Sequence, residues 1–185
     1  MVFLASAVIL GSAIGPFWGC AQSTKLDLTE KLTVAMQGVF EAPVDATGNA
    51  DPKFEKFTLS AVTAVDSDGT SVNLYEDDPK EFRIISRPQI IFEADISDYV
   101  DKSFNTVALT FDPTTTVGGK IESDLAVALT DASPMLTDTF TVEKAKGLRL
   151  DVKVQWKNTV TRDEDADPAS ETASSPTFTL EMTSK

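Results

Sequence analysis

The chain has 185 residues, a length typical of one domain or of one domain with a targeting segment. Hydrophobic residues make up 42% and charged residues 24%, so the chain can bury a core and is not globally disordered. The formal net charge of −13 argues against binding to nucleic acids and against electrostatic docking on an anionic bilayer. The chain has no histidine and one cysteine, which excludes Ser-His-Asp and Cys-His catalysis, thiolate zinc sites and an intrachain disulfide.

The first 19 residues, MVFLASAVILGSAIGPFWG, carry no charge. Their most apolar part, residues 2–14, is as long as the core of a signal peptide and shorter than the roughly 20 residues that span a bilayer. Small residues flank the single cysteine, with Gly19 before it and Ala21 after it. This anatomy predicts an export signal that is cleaved after Gly19, directly before Cys20.

The stretch Phe17-Trp18-Gly19-Cys20 resembles the lipobox of bacterial lipoprotein signal peptides, although Phe17 and Trp18 stand where the usual pattern has Leu and a small residue. The resemblance implies a lipid on Cys20, cleavage after Gly19 and export to the cell envelope. Ala21 after the cysteine is compatible with sorting to the outer membrane. Two alternatives stay open, namely an uncleaved anchor or ordinary signal peptide, and a buried first helix with Cys20 in the core.

Under this interpretation residues 1–19 are the signal peptide, 20–30 a polar tether and 31–185 the folded domain. Apolar residues alternate with polar ones in short runs throughout that domain, as in strands buried on one face. In chain order, the residues assigned to core faces are Leu32, Val34, Met36 and Phe40; Phe57, Leu59, Ala61 and Val65; Val107, Leu109 and Phe111; Leu125, Val127 and Leu129; Phe140 and Val142; Leu148, Leu150, Val152, Val154 and Trp156; Phe178, Leu180 and Met182.

Turn-forming stretches such as DSDGTS and TVGGK separate these runs, and Arg87-Pro88 separates two further β-rich runs. The best candidate for a helical turn is DISDYVDKSF, with Ser97 or Asp98 as its cap. Residues 158–176 are polar and acidic, which predicts a mobile hairpin loop between the last two strands. The pattern predicts an all-β fold, a two-sheet antiparallel β-sandwich, with a barrel as the alternative.

The order VNLYEDD, ADISDYVDKSFNTVALTFDP, LRLDVKVQW and SPTFTLEM resembles the transthyretin-like β-sandwich domains of bacterial lipoproteins. The resemblance covers roughly residues 55–183 and includes a turn that carries a tyrosine, Tyr99. An immunoglobulin-like sandwich has nearly the same pattern. The resemblance implies no activity, so it assigns no catalytic residue.

Two acidic stretches are candidate calcium sites, because carboxylate oxygens are the ligands that this cation prefers. The first is DSDGTS, with Asp66 and Asp68, and the second is the run with Asp163, Asp165 and Asp167. A hairpin turn with Gly69 at positive φ explains the first fully, and a run such as the second is usually a solvated face. YEDD, with Glu76, Asp77 and Asp78, is a further candidate of the same kind.

The sequence therefore predicts a non-enzymatic lipoprotein of the envelope, a structural or interaction module held to the membrane by a lipid on Cys20. Its partner would be a protein or a glycan, and no cofactor is expected beyond the covalent lipid and possible calcium. The alternative is a calcium-dependent ligand-binding or adhesive sandwich at the cell surface. Trp156, which ends a strand on the apolar side, is predicted to lie in the core rather than to stack on a sugar.

Overall fold

The computed structural model describes residues 30–39, 49–75, 77–122, 124–156, 159–166 and 168–185. These residues form strands and a single 3₁₀ turn, arranged as two larger sheets packed on each other and one small sheet, which confirms the predicted all-β sandwich. The strands are β1 (Lys31–Val39), β2 (Asn49–Ala50), β3 (Phe54–Asp66), β4 (Ser71–Asn73), β5 (Lys80–Ile84), β6 (Gln89–Asp95), β7 (Ser103–Phe111), β8 (Thr114–Gly118), β9 (Leu125–Ala128), β10 (Met135–Thr141), β11 (Leu148–Gln155), β12 (Val160–Asp163), β13 (Ser170–Ala173) and β14 (Thr177–Ser184).

The four-stranded sheet has the order β14-β11-β1-β6. Its two central strands, β1 and β11, are parallel, with Leu32 opposite Leu148, whereas both outer pairs are antiparallel. Parallel neighbours require a long connection, and here all the strands of the seven-stranded sheet lie between β1 and β11 in sequence. The otherwise antiparallel sandwich therefore contains one parallel pair, which alternation alone could not indicate because it is the same for both pairings.

The seven-stranded sheet is built around β3, which is 13 residues long. Strands β7 and β8 follow one another along one side of β3, and β4 and β5 follow one another along its other side. Strands β10 and β9 extend the sheet beyond β7 and β8. One long strand thus organises the whole sheet, and β4 and β5 form one of its edges.

Strand β11 shows how the core is built. Leu150, Val152 and Val154 have no exposed surface, while the residues between them are half-buried. They pack in one cluster with apolar residues of the facing sheet, among them Phe57 and Leu109. Burial of each such side chain contributes roughly 1.5–3 kcal/mol of hydrophobic free energy. The predicted core face of this strand, including the fully buried Trp156, is confirmed.

The predicted core face of β3 is correct in its first half and wrong in its second. Phe57 and Leu59 are buried, but Ala61 and Val65 are only half-buried, and Val62 and Ala64 take the core positions instead. The pairing of β3 with β7 shifts register between Leu59 and Ala61, where a β-bulge adds one residue. An added residue reverses which side chains face the core, because the period of a strand is two.

Residues 159–166 and 168–176 contain two strands where the sequence predicts a loop. Within this range β12 and β13 pair with each other as a hairpin, and β12 also pairs with β2 to make the third sheet. The segment was predicted as a loop because its residues are polar. Two of its charged residues, Arg162 and Glu171, are nevertheless buried, and their contacts hold the hairpin against the sandwich.

The predicted helical turn is present as a 3₁₀ turn at Ser97–Tyr99. Its predicted cap is wrong, because neither Ser97 nor Asp98 caps it. The Ser97 N–H donates instead to Asp95 Oδ1 at 2.9 Å, so the last residue of β6 closes the turn. Within the part of the chain that the structure describes, no helix is long and apolar enough to cross a membrane.

Candidate functional sites

Cys20 and Gly19, the predicted lipidation and cleavage sites, lie outside the described residues. The described chain begins at Glu30, whose carbonyl accepts the Ile96 N–H at 2.8 Å and whose carboxylate accepts the Ala145 N–H at 2.8 Å. A tether from Cys20 would reach the sandwich here. We call this end of the sandwich the tether end, and the opposite end, where Val39 and Trp156 lie, the far end.

The carboxylates of the first candidate calcium site belong to a hairpin turn. Asp66 Oδ1 accepts the N–H groups of Asp68, at 2.9 Å, and Thr70, at 2.7 Å. Gly69 follows with a φ of +81°, the left-handed conformation that glycine adopts without strain. The side chain of Asp66 therefore closes the connection between β3 and β4, and Asp68 is exposed.

The second candidate site has the same local arrangement at the tip of the β12–β13 hairpin. Asp163 Oδ1 accepts the N–H groups of Asp165 and Ala166, both at 3.1 Å. Asp165 is exposed, and Asp167 lies outside the described residues.

The two acidic turns lie far apart. Asp66 ends β3, whereas β12 pairs with Ala50, just before β3 begins at Phe54. The length of β3, roughly 40 Å at about 3.3 Å per residue, separates them. Among the described residues no group of three acidic or cysteine side chains is arranged to hold a metal ion. Calcium binding at either turn stays a prediction, which a rise in melting temperature in millimolar calcium would test.

A carboxylate that sequence reasoning missed is buried at the far end. Glu55 is 1% exposed, and its Oε2 accepts the indole N–H of the fully buried Trp156 at 2.9 Å. Its Oε1 has no hydrogen-bond partner among the described residues. Burial raises the pKa of Glu55 to about 8, against the opposing effect of the hydrogen bond from Trp156. One sequence signal was available, since Glu55 shares the core-facing parity of Phe57.

A second buried carboxylate, Glu171, holds the loop after β8. Its oxygens accept the backbone N–H groups of Lys120, Ile121 and Glu122 at 3.1, 2.8 and 3.0 Å, and the Arg162 Nε–H at 3.2 Å. Burial by itself would raise the pKa of Glu171, but these donors outweigh it and the pKa is lowered. The Glu171 carboxylate already occupies these N–H groups, so they are not free to bind an external anion. We call this cluster the clamp, because it holds the loop after β8 in place.

The tether-side half of the molecule carries an open sheet edge. Strand β6 ends the four-stranded sheet and pairs only with β1 among the described residues. The opposite edge strand, β14, approaches β10 of the facing sheet. On the β6 side the sheets are joined near the far end, where the Gly38 N–H donates to the Ile85 carbonyl at 2.9 Å.

A groove follows this open edge between β6 and the chain segment that includes β4 and β5. It consists of two adjoining depressions of about 340 and 220 Å³, which share Asp77, Phe92 and Glu93. Phe92 and Tyr75 form the apolar floor, with their ring centroids 5.3 Å apart. Ile90, at the start of β6, is 58% exposed beside it. The groove is thus apolar below and borders an unpaired strand.

No family model, curated protein or solved structure matches the chain.

Proposed function

We propose that the protein is an exported bacterial lipoprotein of the cell envelope, anchored by a lipid on Cys20, in which the β-sandwich acts as a non-enzymatic interaction module. The observation that carries this proposal is the uncharged apolar segment that ends in Phe17-Trp18-Gly19-Cys20. The placement in the outer membrane follows from Ala21 and belongs to the same proposal.

The geometry of the first strand supports the anchor. Glu30 already bonds to the fold through the N–H groups of Ile96 and Ala145, so residues 21–29 separate the predicted lipid from it. Such a tether spans at most about 32 Å when fully extended. Anchoring would hold the sandwich close to the bilayer with its tether end towards the lipid, and the groove along β6 would lie on its side.

The distribution of reactive groups supports a role without catalysis. The chain has no histidine, and Glu55, whose pKa is strongly raised, is buried in contact with Trp156 and does not line the groove. A catalytic acid or base must reach the substrate within hydrogen-bond distance. The interaction role draws its support from the open β6 edge instead.

The test is the intact mass of the protein extracted from the membranes of its own host. We expect the mass of residues 20–185 plus a diacylglyceryl group, with or without an additional acyl chain. The Cys20→Ser variant, expressed in the same host, serves as the control and should lack the lipid mass.

A protein that retains residues 1–19 and carries no lipid would overturn the proposal. A mass that fits cleavage before residue 20 without a lipid would retain export but exclude the anchor.

A further inference from the structure

We propose that the outer edge of β6 binds a basic, extended peptide segment of a partner protein as an additional strand of the four-stranded sheet. This inference rests on the interaction role proposed above and names the surface and the chemistry of the partner. Addition of a strand to an open sheet edge is a recurrent mode of peptide recognition.

The backbone of β6 offers the hydrogen-bonding groups for such a strand. The Ile96 N–H donates to the Glu30 carbonyl at 2.8 Å, on the side of β1. Alternation along a strand then directs the N–H and C=O groups of Glu93 and Asp95 to the opposite, outer side. No described residue pairs with that side of β6. An unpaired strand edge of this kind is a template for a second chain.

The groove supplies space and side-chain contacts along the same edge. Strand β6 has seven residues, which span roughly 20 Å at about 3.3 Å per residue and match a ligand of about seven residues. The two depressions follow it from Ile90 to Asp95 and continue to Asp98 and Tyr99. Alternate side chains of an added strand would lie over the floor made by Phe92 and Tyr75.

The negative charge of the groove favours a basic partner. Its described lining carries four exposed carboxylates and one exposed amine, Lys80. The carboxylates are those of Asp77, Glu93, Asp95 and Asp98. Lys and Arg side chains on the ligand would meet these carboxylates, whereas an acidic ligand would be repelled.

The same charges disfavour a second copy of the chain. Pairing of two β6 edges would bring Glu93 and Asp95 of one copy close to those of the other, in molecules that each carry a net charge of −13. Like charges opposite each other across a strand pair are destabilising. The carboxylates thus block self-association at this edge and leave it open to a basic strand.

The first experiment measures hydrogen exchange by mass spectrometry on the protein extracted from host membranes in a zwitterionic detergent. The probe is a nine-residue peptide in which Lys alternates with Val or Thr, and the control peptide has Glu in place of Lys. We expect the Lys peptide to slow exchange in fragments that cover residues 89–96 and to bind more weakly as salt is raised. The Glu peptide should leave exchange unchanged.

A pair of proline variants tests whether backbone pairing carries the binding. Glu93→Pro removes an outward N–H and leaves the bonds to β1 in place, which an edge strand tolerates. Ser184→Pro is the matched control on β14, where the Lys185 N–H donates to Gly147 and Ser184 therefore faces outwards. We expect Glu93→Pro to weaken peptide binding ten-fold or more and Ser184→Pro to leave it unchanged.

A pair of charge variants keeps the proposal testable if Glu93→Pro fails to fold. Glu93→Gln/Asp98→Asn removes two groove charges and spares Asp95, whose carboxylate closes the following turn. Asp165→Asn/Glu181→Gln removes two exposed charges elsewhere and gives the same net charge. We expect weaker binding of the Lys peptide by the first variant only.

The inference would be overturned if the Lys peptide did not slow exchange in residues 89–96, or if a folded Glu93→Pro variant bound the peptide as well as the parent. An equal loss of peptide binding in both charge variants would also overturn it. Dimerisation that Glu93→Pro abolishes would also overturn it, because the occupant would then be a second copy. None of these outcomes bears on the lipid, so a mass that includes the diacylglyceryl group would leave the proposed anchoring in place while this inference fails.

Discussion

Glu55 and Glu171 are both buried carboxylates at the far end of the sandwich, and their surroundings move their pKa values in opposite directions. Burial dominates at Glu55, where the Trp156 indole is the donor in contact with Oε2, and its pKa rises to about 8. At Glu171 burial is outweighed by the N–H groups of residues 120–122 and by Arg162, and the pKa falls. The two sites show that burial sets the pKa of a carboxylate with one neutral donor, and that several donors, one of them charged, outweigh burial.

The two sites therefore act on stability in different pH ranges. Glu55 holds its proton in the folded state up to about pH 8, whereas in the unfolded chain it ionises near its ordinary pKa of 4.5. The unfolded state binds fewer protons in this window, so stability falls as pH rises. Glu171, whose pKa is lowered, contributes stability above its ordinary pKa, and this is lost as pH falls through the folded value.

The largest expected effect is the pH dependence that Glu55 causes. Between pH 4.5 and 8 it should lower the free energy of unfolding by up to about 5 kcal/mol, at about 1.4 kcal/mol per pH unit. Urea denaturation at a series of pH values measures this slope. In Glu55→Gln the slope should be largely lost, because the amide does not titrate. Equal slopes in the two proteins would show that Glu55 is ionised in the fold.

Removal of the other carboxylate should be the next largest effect. Glu171→Ala leaves three backbone N–H groups and the buried Arg162 without their acceptor, and we expect a loss of about 3–5 kcal/mol in the free energy of unfolding. Chemical denaturation at pH 7 measures it. Glu181→Ala, an exposed carboxylate on β14, is the control and should stay within about 0.5 kcal/mol of the parent. A loss below 1 kcal/mol at Glu171 would contradict the clamp.

We expect a smaller effect from removal of the Trp156 N–H, which is the hydrogen-bond donor to Glu55. Trp156→Phe keeps most of the buried ring but removes the N–H that Glu55 accepts, which should cost about 1–3 kcal/mol at pH 7. The same change should raise the pKa of Glu55 further, since this hydrogen bond lowers it. The pH at which the slope of stability levels off should move upward. An unchanged pH profile would mean that the indole does not influence Glu55.

We expect the smallest effect from removal of the exposed one of the two carboxylates that bind Arg162. Glu164 accepts from the guanidinium at 3.2 Å, as Glu171 does, but the Glu164 side chain is 73% exposed. Exposed ion pairs contribute little, so Glu164→Gln should change the free energy of unfolding by less than about 0.5 kcal/mol. The same denaturation assay compares it with Glu171→Ala. A loss of similar size in both would show that exposure does not distinguish the two pairs.

The sequence could predict those features of the structure that depend on neighbouring residues, and it could not predict those that depend on contacts between distant segments. The core face of β11 was predictable because strict alternation from Leu148 to Trp156 reflects burial on one side. The burial of Val62 and Ala64 was not predictable, because the β-bulge after Leu59 arises from the pairing of β3 with β7. The hairpin of β12 and β13 was missed because Arg162 and Glu171 resemble solvated residues until they are seen to neutralise each other inside the fold.

The candidate sites divide in the same way. The prediction of a lipid on Cys20 rests on adjacent residues alone, because a lipidation signal is a linear motif that does not depend on a folded domain. The turns closed by Asp66 and Asp163 were also visible as local sequence, although their second role as calcium ligands stays a prediction. The groove along β6 could not be predicted, because Asp77 and Glu93 come from different segments and are brought to the same depression only by the fold.

The sequence by itself determined the class of fold, the position of most strands and the acidic character of the molecule, since each depends on local alternation or on composition. Only the tertiary structure decided that β1 and β11 run parallel, that β6 is an open edge, and that Glu55 and Glu171 are buried with opposite pKa shifts. The physical reason is the same in each case. Strand partners, exposed edges and the donors around a buried charge are contacts between residues distant in sequence, and the pattern along the chain holds no record of which of these contacts form.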